Sequence, residues 1–165
     1  EIYTLSLHDA LPISTSAEIP YVEERWLGGT FTNFEMIKKR IKFLLDNEEA
    51  LEKGRLNYMT KLEKLRLEKK LEKIRESMGG LKKMTQLPKL VFVMDVIQDE
   101  TAVKEAKKMG IKTIGVVDTN TDPDVVDFPI PANDDALSAI KYILGVFMKV
   151  VLKTKQGQIV ASESK

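Results

Sequence analysis

Two short apolar segments, each ending in an aspartate, most constrain what this chain can fold into. LVFVMD covers residues 90–95 and TIGVVD covers residues 113–118. Continuous apolar runs of this length are typical of strands that are buried on both faces, and such strands occur in parallel sheets covered by helices. The segment between them, 99–109, has the pattern of a short helix that stops at Gly110. The order strand, helix, strand therefore predicts a parallel α/β sheet.

The sequence is short of strands for a complete sheet of this kind. Besides the two central strands, we identify candidates only at 19–24 and near 128–130, and a last helix is predicted over 134–152. A sheet usually has about five strands. We therefore expect an incomplete sheet whose N-terminal strands are missing.

Two long and highly charged helical patterns occupy residues 30–53 and 58–78. Their apolar residues alternate at three- and four-residue spacing, which is typical of a coiled-coil seam. The seam positions are Phe34, Ile37, Ile41, Leu44, Leu51, Leu67, Leu71, Ile74 and Met78. Glu48 interrupts the first stripe. We expect a protruding antiparallel coiled-coil hairpin, and the alternative is two ordinary helices that face the core.

Both helical patterns begin with a threonine that is followed by a glutamate three positions later. Thr32 precedes Glu35 in this way, and Thr60 precedes Glu63. This is the spacing of a capping box, in which the two side chains satisfy each other's backbone N–H groups. The sequence therefore predicts a capping box at the start of each helix.

The predicted organisation has four parts. They are a segment at 1–14, a partial α/β domain at 15–32 and 79–153, the hairpin inserted at 33–78, and a flexible tail at 154–165.

Charge is strongly segregated along the chain, although the net charge of the 165 residues is only +1. Residues 33–89 carry 16 Lys/Arg against 9 Asp/Glu, a local charge of +7, and residues 90–135 carry 4 against 10, a local charge of −6. A basic element beside an acidic module favours an oriented contact with a polyanion. No apolar run approaches the roughly 18–20 residues of a membrane span.

The basic element begins beside a possible phosphate site. GGT at 28–30 precedes a predicted helix, so its N–H groups could face an anion. Trp26, just before it, has an aromatic face on which a nucleotide base could stack. The alternative is a packed tryptophan beside a solvated lysine face.

Five aspartates follow the predicted strands, near the edge where open parallel sheets bind ligands. They are Asp95, Asp118, Asp122, Asp124 and Asp127. A magnesium-dependent phospho-receiver or enzyme that uses Asp118 is therefore an alternative function. We favour turn and cap roles for these residues, because aspartate is common in turns after strands and no glycine-rich phosphate loop is present. There is no cysteine and a single histidine, so thiolate metal sites, cysteine nucleophiles and Ser/His/Asp catalysis have no good candidate.

Several ordered segments resemble one known family. RWLGGTFTNFEMIKKRIK at 25–42, MGGLKKMTQLPKLVFVMD at 78–95 and a long segment at 105–143 are similar to the bacterial-type small ribosomal subunit protein S-two family, and the resemblance covers roughly 17–157. It implies a flavodoxin-like parallel sheet flanked by helices, with the coiled-coil hairpin. It also implies a structural, non-enzymatic role in the cytoplasmic ribosome, without a cofactor or metal. The implied partners are small-subunit ribosomal RNA and neighbouring small-subunit proteins, including the large RNA-binding protein S-one.

On this resemblance, RNA contact is expected in the basic region around the first helix and after the second. The candidate RNA-binding residues are Arg25, Trp26, Lys38, Lys39, Arg40, Lys42, Lys82 and Lys83.

The opening stretch, EIYTLSLHDALPIS, differs from the rest of the chain. It contains the only histidine, His8, and no lysine or arginine. It looks like the translation of a sequencing-library adapter, and family members carry further strands in its place. We therefore expect residues 1–14 to be non-native, with a divergent natural N-terminus as the alternative.

Overall fold

The computed structural model describes residues 2–5, 19–22, 25–56 and 58–163, with side chains described from residue 19 to residue 154 of these ranges. The strands are β1 (Ile2–Leu5), β2 (Tyr21–Val22), β3 (Leu90–Val93), β4 (Lys112–Val117) and β5 (Phe128–Pro131). The α-helices are α1 (Phe34–Glu52), α2 (Lys61–Met78), α3 (Glu100–Lys108) and α4 (Leu137–Glu163). Single 3₁₀ turns lie at Gly79–Leu81 and Pro123–Val125.

The sheet is parallel throughout, with strand order β2-β1-β3-β4-β5. In β3, Val91 and Val93 contribute to the core on one face of the sheet, and Phe92 contributes to the core on the other. All three side chains are fully buried. The prediction of a parallel α/β sheet with strands buried on both faces is therefore confirmed.

The strand count differs from the sequence prediction. We expected the sheet to lack its N-terminal strands, whereas Ile2–Leu5 forms β1 between β2 and β3 and gives the sheet five strands. Strands pair through backbone groups, and the segment Ile-Tyr-Thr-Leu consists largely of residue types enriched in strands. The origin of residues 1–14 is a separate question, and their non-native origin stays a prediction.

Helices cover both faces of the sheet. The larger core joins the sheet to α3 and to the near ends of α1 and α2, with Ala102, Val103 and Met78 among its buried residues. The opposite core joins the sheet to α4 through Ile140 and Leu144. The loop before α1 therefore lies on the same face of the sheet as α3.

The two central helices have a mixed character. Four of the five predicted seam positions of α1 are buried, but only Leu71 and Met78 are buried in α2. Phe34 at the start of α1 and Met78 at the end of α2 belong to the larger core, as in the alternative of core-facing helices. Towards the start of α2, Leu62 and Leu65 are 57% and 49% exposed. The outer turns of α2 therefore extend into solvent, and the coiled coil stays a prediction.

One of the two predicted capping boxes is present. Thr60 and Glu63 form a complete capping box at the start of α2, which confirms that prediction. The capping box at Thr32 is wrong: the N-cap of α1 is Asn33, and it makes no side-chain cap hydrogen bond. The Thr32 side chain instead contacts Glu105, a residue of α3.

The last helix is longer than predicted. We expected a helix over 134–152 and a flexible tail at 154–165, but α4 continues to Glu163. Residues 154–163 contain no proline and only one glycine, so the sequence has no strong helix stop there. Among the described residues, no helix is both long and apolar enough to cross a membrane.

Candidate nucleic-acid interface

A single buried carboxylate binds the loop that leads from β2 to α1. Glu105 lies in α3 and is only 8% exposed. Its Oε1 accepts a hydrogen bond from the Gly29 N–H at 2.5 Å, and its Oε2 accepts from the N–H groups of Phe31 at 2.9 Å and Thr32 at 3.1 Å. The Thr32 hydroxyl donates to the same oxygen at 3.3 Å. The loop is therefore an anion-binding nest, defined here by residues 29–32, and its anion is part of the same chain.

This arrangement corrects the prediction that the GGT segment receives a phosphate. The N–H groups of Gly29, Phe31 and Thr32 are already bonded to Glu105, so an external phosphate would have to displace a buried carboxylate. Burial by itself raises the pKa of Glu105, but hydrogen bonds from the three N–H groups, and from the Trp26 side chain, lower it below its ordinary value. The carboxylate is therefore ionised at neutral pH. Gly29 has φ of 93°, a conformation that glycine adopts without a steric penalty.

Trp26 is part of this packed loop. Its ring centroid lies 4.6 Å from that of Phe31 in an edge-to-face arrangement, and the residue is only 5% exposed. An aromatic ring can stack on a base only if its face is accessible. The prediction that Trp26 stacks on RNA does not fit this burial, and the alternative of a packed tryptophan does.

The predicted basic residues fall into two groups. Five of them are exposed: Arg25, Lys39, Arg40, Lys42 and Lys83. The other two are partly buried and have internal partners. The Lys38 Nζ lies 3.1 Å from Glu35 Oε1 and 4.8 Å from the centre of the Phe34 ring. The Lys82 Nζ lies 2.6 Å from Glu48 Oε2.

The cations of α1 do not form one compact cluster. The buried face of the helix includes Ile37, Ile41 and other apolar residues. With 3.6 residues per turn, Lys39 lies on the side away from that face, and Lys42 and Arg40 lie on opposite sides of Lys39. The structure therefore spreads these charges around the solvent-facing half of α1, next to the nest.

Glu48 is a structural residue whose role the sequence did not reveal. Its Oε1 lies 2.8 Å from Arg75 Nη2 in α2, and its Oε2 lies 2.6 Å from the Lys82 Nζ. Burial raises the pKa of Glu48, but its bonds to Lys82 and Arg75 outweigh that effect and lower it. A charged residue at a seam position was the only sequence signal, and it did not identify the partners.

Aspartates near the ends of the strands serve as turn and cap residues. Asp95 accepts from the N–H groups that follow it at 97 and 98, and Asp122 accepts from the Asp124 N–H at 3.0 Å. Asp118 accepts from the Thr119 N–H at 2.6 Å and from the N–H of residue 134 at 3.3 Å. In the part of the chain that the structure describes, no three or more acidic, histidine or cysteine side chains are grouped to hold a metal ion. These contacts agree with the turn and cap interpretation.

Asp127 does not belong to this edge of the sheet. Its Oδ1 lies 2.6 Å from the Lys112 Nζ, and its Oδ2 accepts from the Thr113 N–H at 2.9 Å and hydroxyl at 3.0 Å. Both partners lie at the amino end of β4. The side chain of Lys112, followed by the Thr113 N–H, lowers the pKa of Asp127 to about 2. The prediction that Asp127 joins the carboxyl-end cluster is therefore wrong, because the loop carries it back along β4.

Comparison with known families decides the identity of the chain. A family model described as ribosomal protein S2 matches residues 12–154. The chain belongs to the ribosomal protein S2 family. The nest, the cations of α1 and Glu105 all lie inside the match, and residues 1–11 lie outside it.

Membership of this ribosomal protein family makes the chain a ribosomal protein, and the family is structural rather than enzymatic. This agrees with the turn and cap roles of Asp118 and Asp122. The effect of an acidic residue near β3 on stability can be tested at Asp99.

Asp99→Asn is expected to stabilise the protein at neutral pH. Burial and the nearby charge of Asp95 raise the pKa of Asp99 from 3.8 to about 6. The folded state therefore binds more protons than the unfolded state between about pH 4 and pH 6, and stability falls as the pH rises through this window. At about pH 7.5 we expect a gain of about 2 kcal/mol in the free energy of unfolding, because asparagine removes the buried charge. No cap is lost, since Asp99 makes no side-chain cap hydrogen bond and asparagine is an equally good N-cap residue.

Urea denaturation at about pH 4 and about pH 7.5 measures this effect, and the gain should be much smaller at the lower pH. Asp46→Asn, at an exposed position of α1, is the matched control. Equal gains at both pH values in the Asp99 variant would contradict the electrostatic explanation.

Proposed function

We propose that this protein is a structural constituent of the small ribosomal subunit and that it binds small-subunit ribosomal RNA, which supports translation. The observation that carries the proposal is the set of cations on α1. Within the described residues, Lys39, Arg40 and Lys42 are exposed and form no ion pair with another part of the chain. Their charges are therefore available to an external polyanion.

The position of these cations also supports RNA as the partner. They follow a loop whose backbone is bonded to a buried carboxylate, so they project from a well-anchored helix end. Arg25 is exposed at the other end of the same loop. Lysine and arginine contacts to phosphates position a protein on RNA without reading its sequence. This is the recognition expected of a structural ribosomal component.

The resemblance also supports the remaining features of the proposal. The strand order β2-β1-β3-β4-β5 agrees with a flavodoxin-like sheet. The outer turns of α2, with exposed Leu62 and Leu65, suit a projecting hairpin that contacts neighbouring small-subunit proteins, including the large RNA-binding protein S-one. On this proposal Lys82 and Lys83 face the RNA at the base of this hairpin, and Lys82 also pairs with Glu48. Such a protein acts in the cytoplasm.

Charge reversal of the three cations tests the RNA contact. We expect Lys39→Glu, Arg40→Glu and Lys42→Glu together to weaken binding to small-subunit ribosomal RNA and to reduce the slope of log affinity against log salt by about two. The reason is that each phosphate contact releases counterions from the RNA, so a variant with fewer contacts releases fewer of them. Filter binding at several salt concentrations measures both quantities.

The matched control replaces Lys104, Lys107 and Lys108 with glutamate. These lysines are exposed on α3, and their replacement changes the net charge by the same amount. This control should retain most of the affinity and the slope. If both triple variants lose affinity equally, net charge alone controls binding and α1 is not the contact.

A further inference from the structure

The start of α1 is stabilised by a residue far away in the sequence. Asn33 makes no side-chain cap hydrogen bond, and Glu35 is the only acidic residue in the first turn of the helix. A second negative charge near this helix end comes from Glu105, which is separated by 73 to 76 residues from the groups that it binds. The N–H groups that Glu105 binds all precede the Asn33 N-cap, so Glu105 anchors the loop that enters α1 and places negative charge near the N-terminus of the helix, where such charge is stabilising.

We propose that Glu105 is the positioning residue of the RNA interface: its carboxylate is the resident anion of the nest at residues 29–32 and sets the orientation of α1 on the α/β domain. This inference rests on the proposed function, because the cations of α1 are useful to RNA only in a defined orientation. Glu105 does not contact RNA itself. It acts through the loop that leads into α1.

The geometry requires a carboxylate rather than any polar group. Both oxygens of Glu105 accept hydrogen bonds, Oε1 from Gly29 and Oε2 from Phe31 and Thr32. An ionised carboxylate offers two acceptor oxygens, whereas an amide offers one oxygen and an NH₂ group that only donates. The NH₂ group of glutamine would therefore face at least one backbone N–H group, and two donors cannot form a hydrogen bond with each other. Hydrogen bonds to a charged acceptor are also about twice as strong as neutral ones.

The packing around Glu105 restricts the motion of the nest. Ala102, about one turn before Glu105 in α3, and Ala106, the residue after it, are fully buried in the larger core. Phe31, inside the nest, is only 1% exposed and belongs to the same core. The carboxylate thus connects two elements that are each held by apolar contacts, and its loss leaves three buried or partly buried N–H groups without an acceptor.

Chemical rescue of Glu105→Ala tests the inference. Alanine removes the two carbons and two oxygens beyond Cβ, and acetate carries the same four heavy atoms. In the full chain we expect the substitution to lower Tm by about 10 °C. We expect RNA affinity, measured below the melting temperature, to fall about tenfold. Acetate, compared with chloride at equal ionic strength, should restore part of both losses.

Two further variants separate anion binding from general damage. Glu100→Ala, at an exposed site of the same helix where the carboxylate pairs with Lys104, should lose little stability and gain nothing from acetate. Glu105→Gln keeps the size of the side chain but not its charge, and it should be nearly as impaired as alanine. A fully stable glutamine variant would overturn the requirement for a carboxylate.

The remaining outcomes are also decisive. If acetate raises Tm no more in Glu105→Ala than in Glu100→Ala, the nest does not select an anion and the inference is wrong. Acetate could restore Tm while the RNA affinity of Glu105→Ala equals that of the unmodified chain in both acetate and chloride. In that case Glu105 is a stability residue and not a positioning residue. If the unmodified chain itself does not bind RNA, the proposed function fails and the positioning role fails with it, whereas the rescue of Tm still tests the nest.

Discussion

Gly80→Ala is expected to lower the free energy of unfolding by about 3 kcal/mol or more. A Cβ atom at this position would overlap the backbone carbonyl oxygen of Tyr21 and lie 2.8 and 2.9 Å from two carbons of its ring. Tyr21 belongs to β2, which is paired with β1, so its backbone cannot withdraw without breaking the sheet. The close approach of the Gly79–Leu81 turn to β2 therefore requires glycine at position 80.

Gly79 supplies a matched control one residue earlier. A Cβ there would meet only Arg75 Cγ at 3.6 Å, which is an ordinary contact, and the backbone is right-handed with φ of −58°. We expect Gly79→Ala to change stability by less than about 1 kcal/mol, and alanine could even stabilise by restricting the unfolded chain. Urea denaturation of the two variants measures the difference. Similar losses at both positions would show that the approach to Tyr21 does not explain the effect.

Removal of residues 1–5 is expected to abolish cooperative unfolding or to cause aggregation. β1 pairs with β2 on one side and with β3 on the other. Without it, β2 loses the one strand partner that it has among the described residues, and β3 acquires an unpaired edge at the centre of the sheet. Unpaired strand edges promote association between chains. Far-UV circular dichroism, urea denaturation and light scattering of the shortened chain measure these effects.

Replacement variants show what β1 contributes. A Val-Val-Thr-Val sequence at 2–5, which keeps Thr4, should preserve cooperativity, because β-branched residues favour strands and apolar side chains suit an internal strand of a parallel sheet. A Gly-Ser-Gly-Ser sequence should behave like the deletion. If the shortened chain instead unfolds as cooperatively as the full chain, with the same midpoint, the opening stretch adds nothing to the fold.

Local patterns were sufficient wherever the relevant partners lie close together in sequence. The apolar run around Phe92 identified a strand buried on both faces, and the spacing of Thr60 and Glu63 identified a capping box. Asp95 and Asp122 bond to N–H groups only two or three positions away. These interactions involve a few consecutive residues, so the sequence contains nearly all the information about them.

Prediction failed at Thr32 and Asp127 for one common reason. In the folded protein, each side chain contacts a group outside its own local segment, and that contact changes its role. Thr32 contacts Glu105 instead of capping its own helix, and Asp127 pairs with Lys112 instead of joining the acidic edge. For Glu105 there was one usable signal: it lies three residues after Ala102, on the buried side of α3. That position indicates a buried carboxylate but not the donors that bind it.

The sequence by itself determined the class of fold, the segregation of charge and the family, because these depend on composition, on local periodicity and on ordered motifs. Only the tertiary structure decided which of the charged residues are available to a partner. Lys39 and Lys42 are free within the described residues, whereas Lys82 is paired with Glu48 and the nest is filled by Glu105. The physical reason is that pairing and burial depend on three-dimensional distance, which folding sets between residues as many as 76 positions apart.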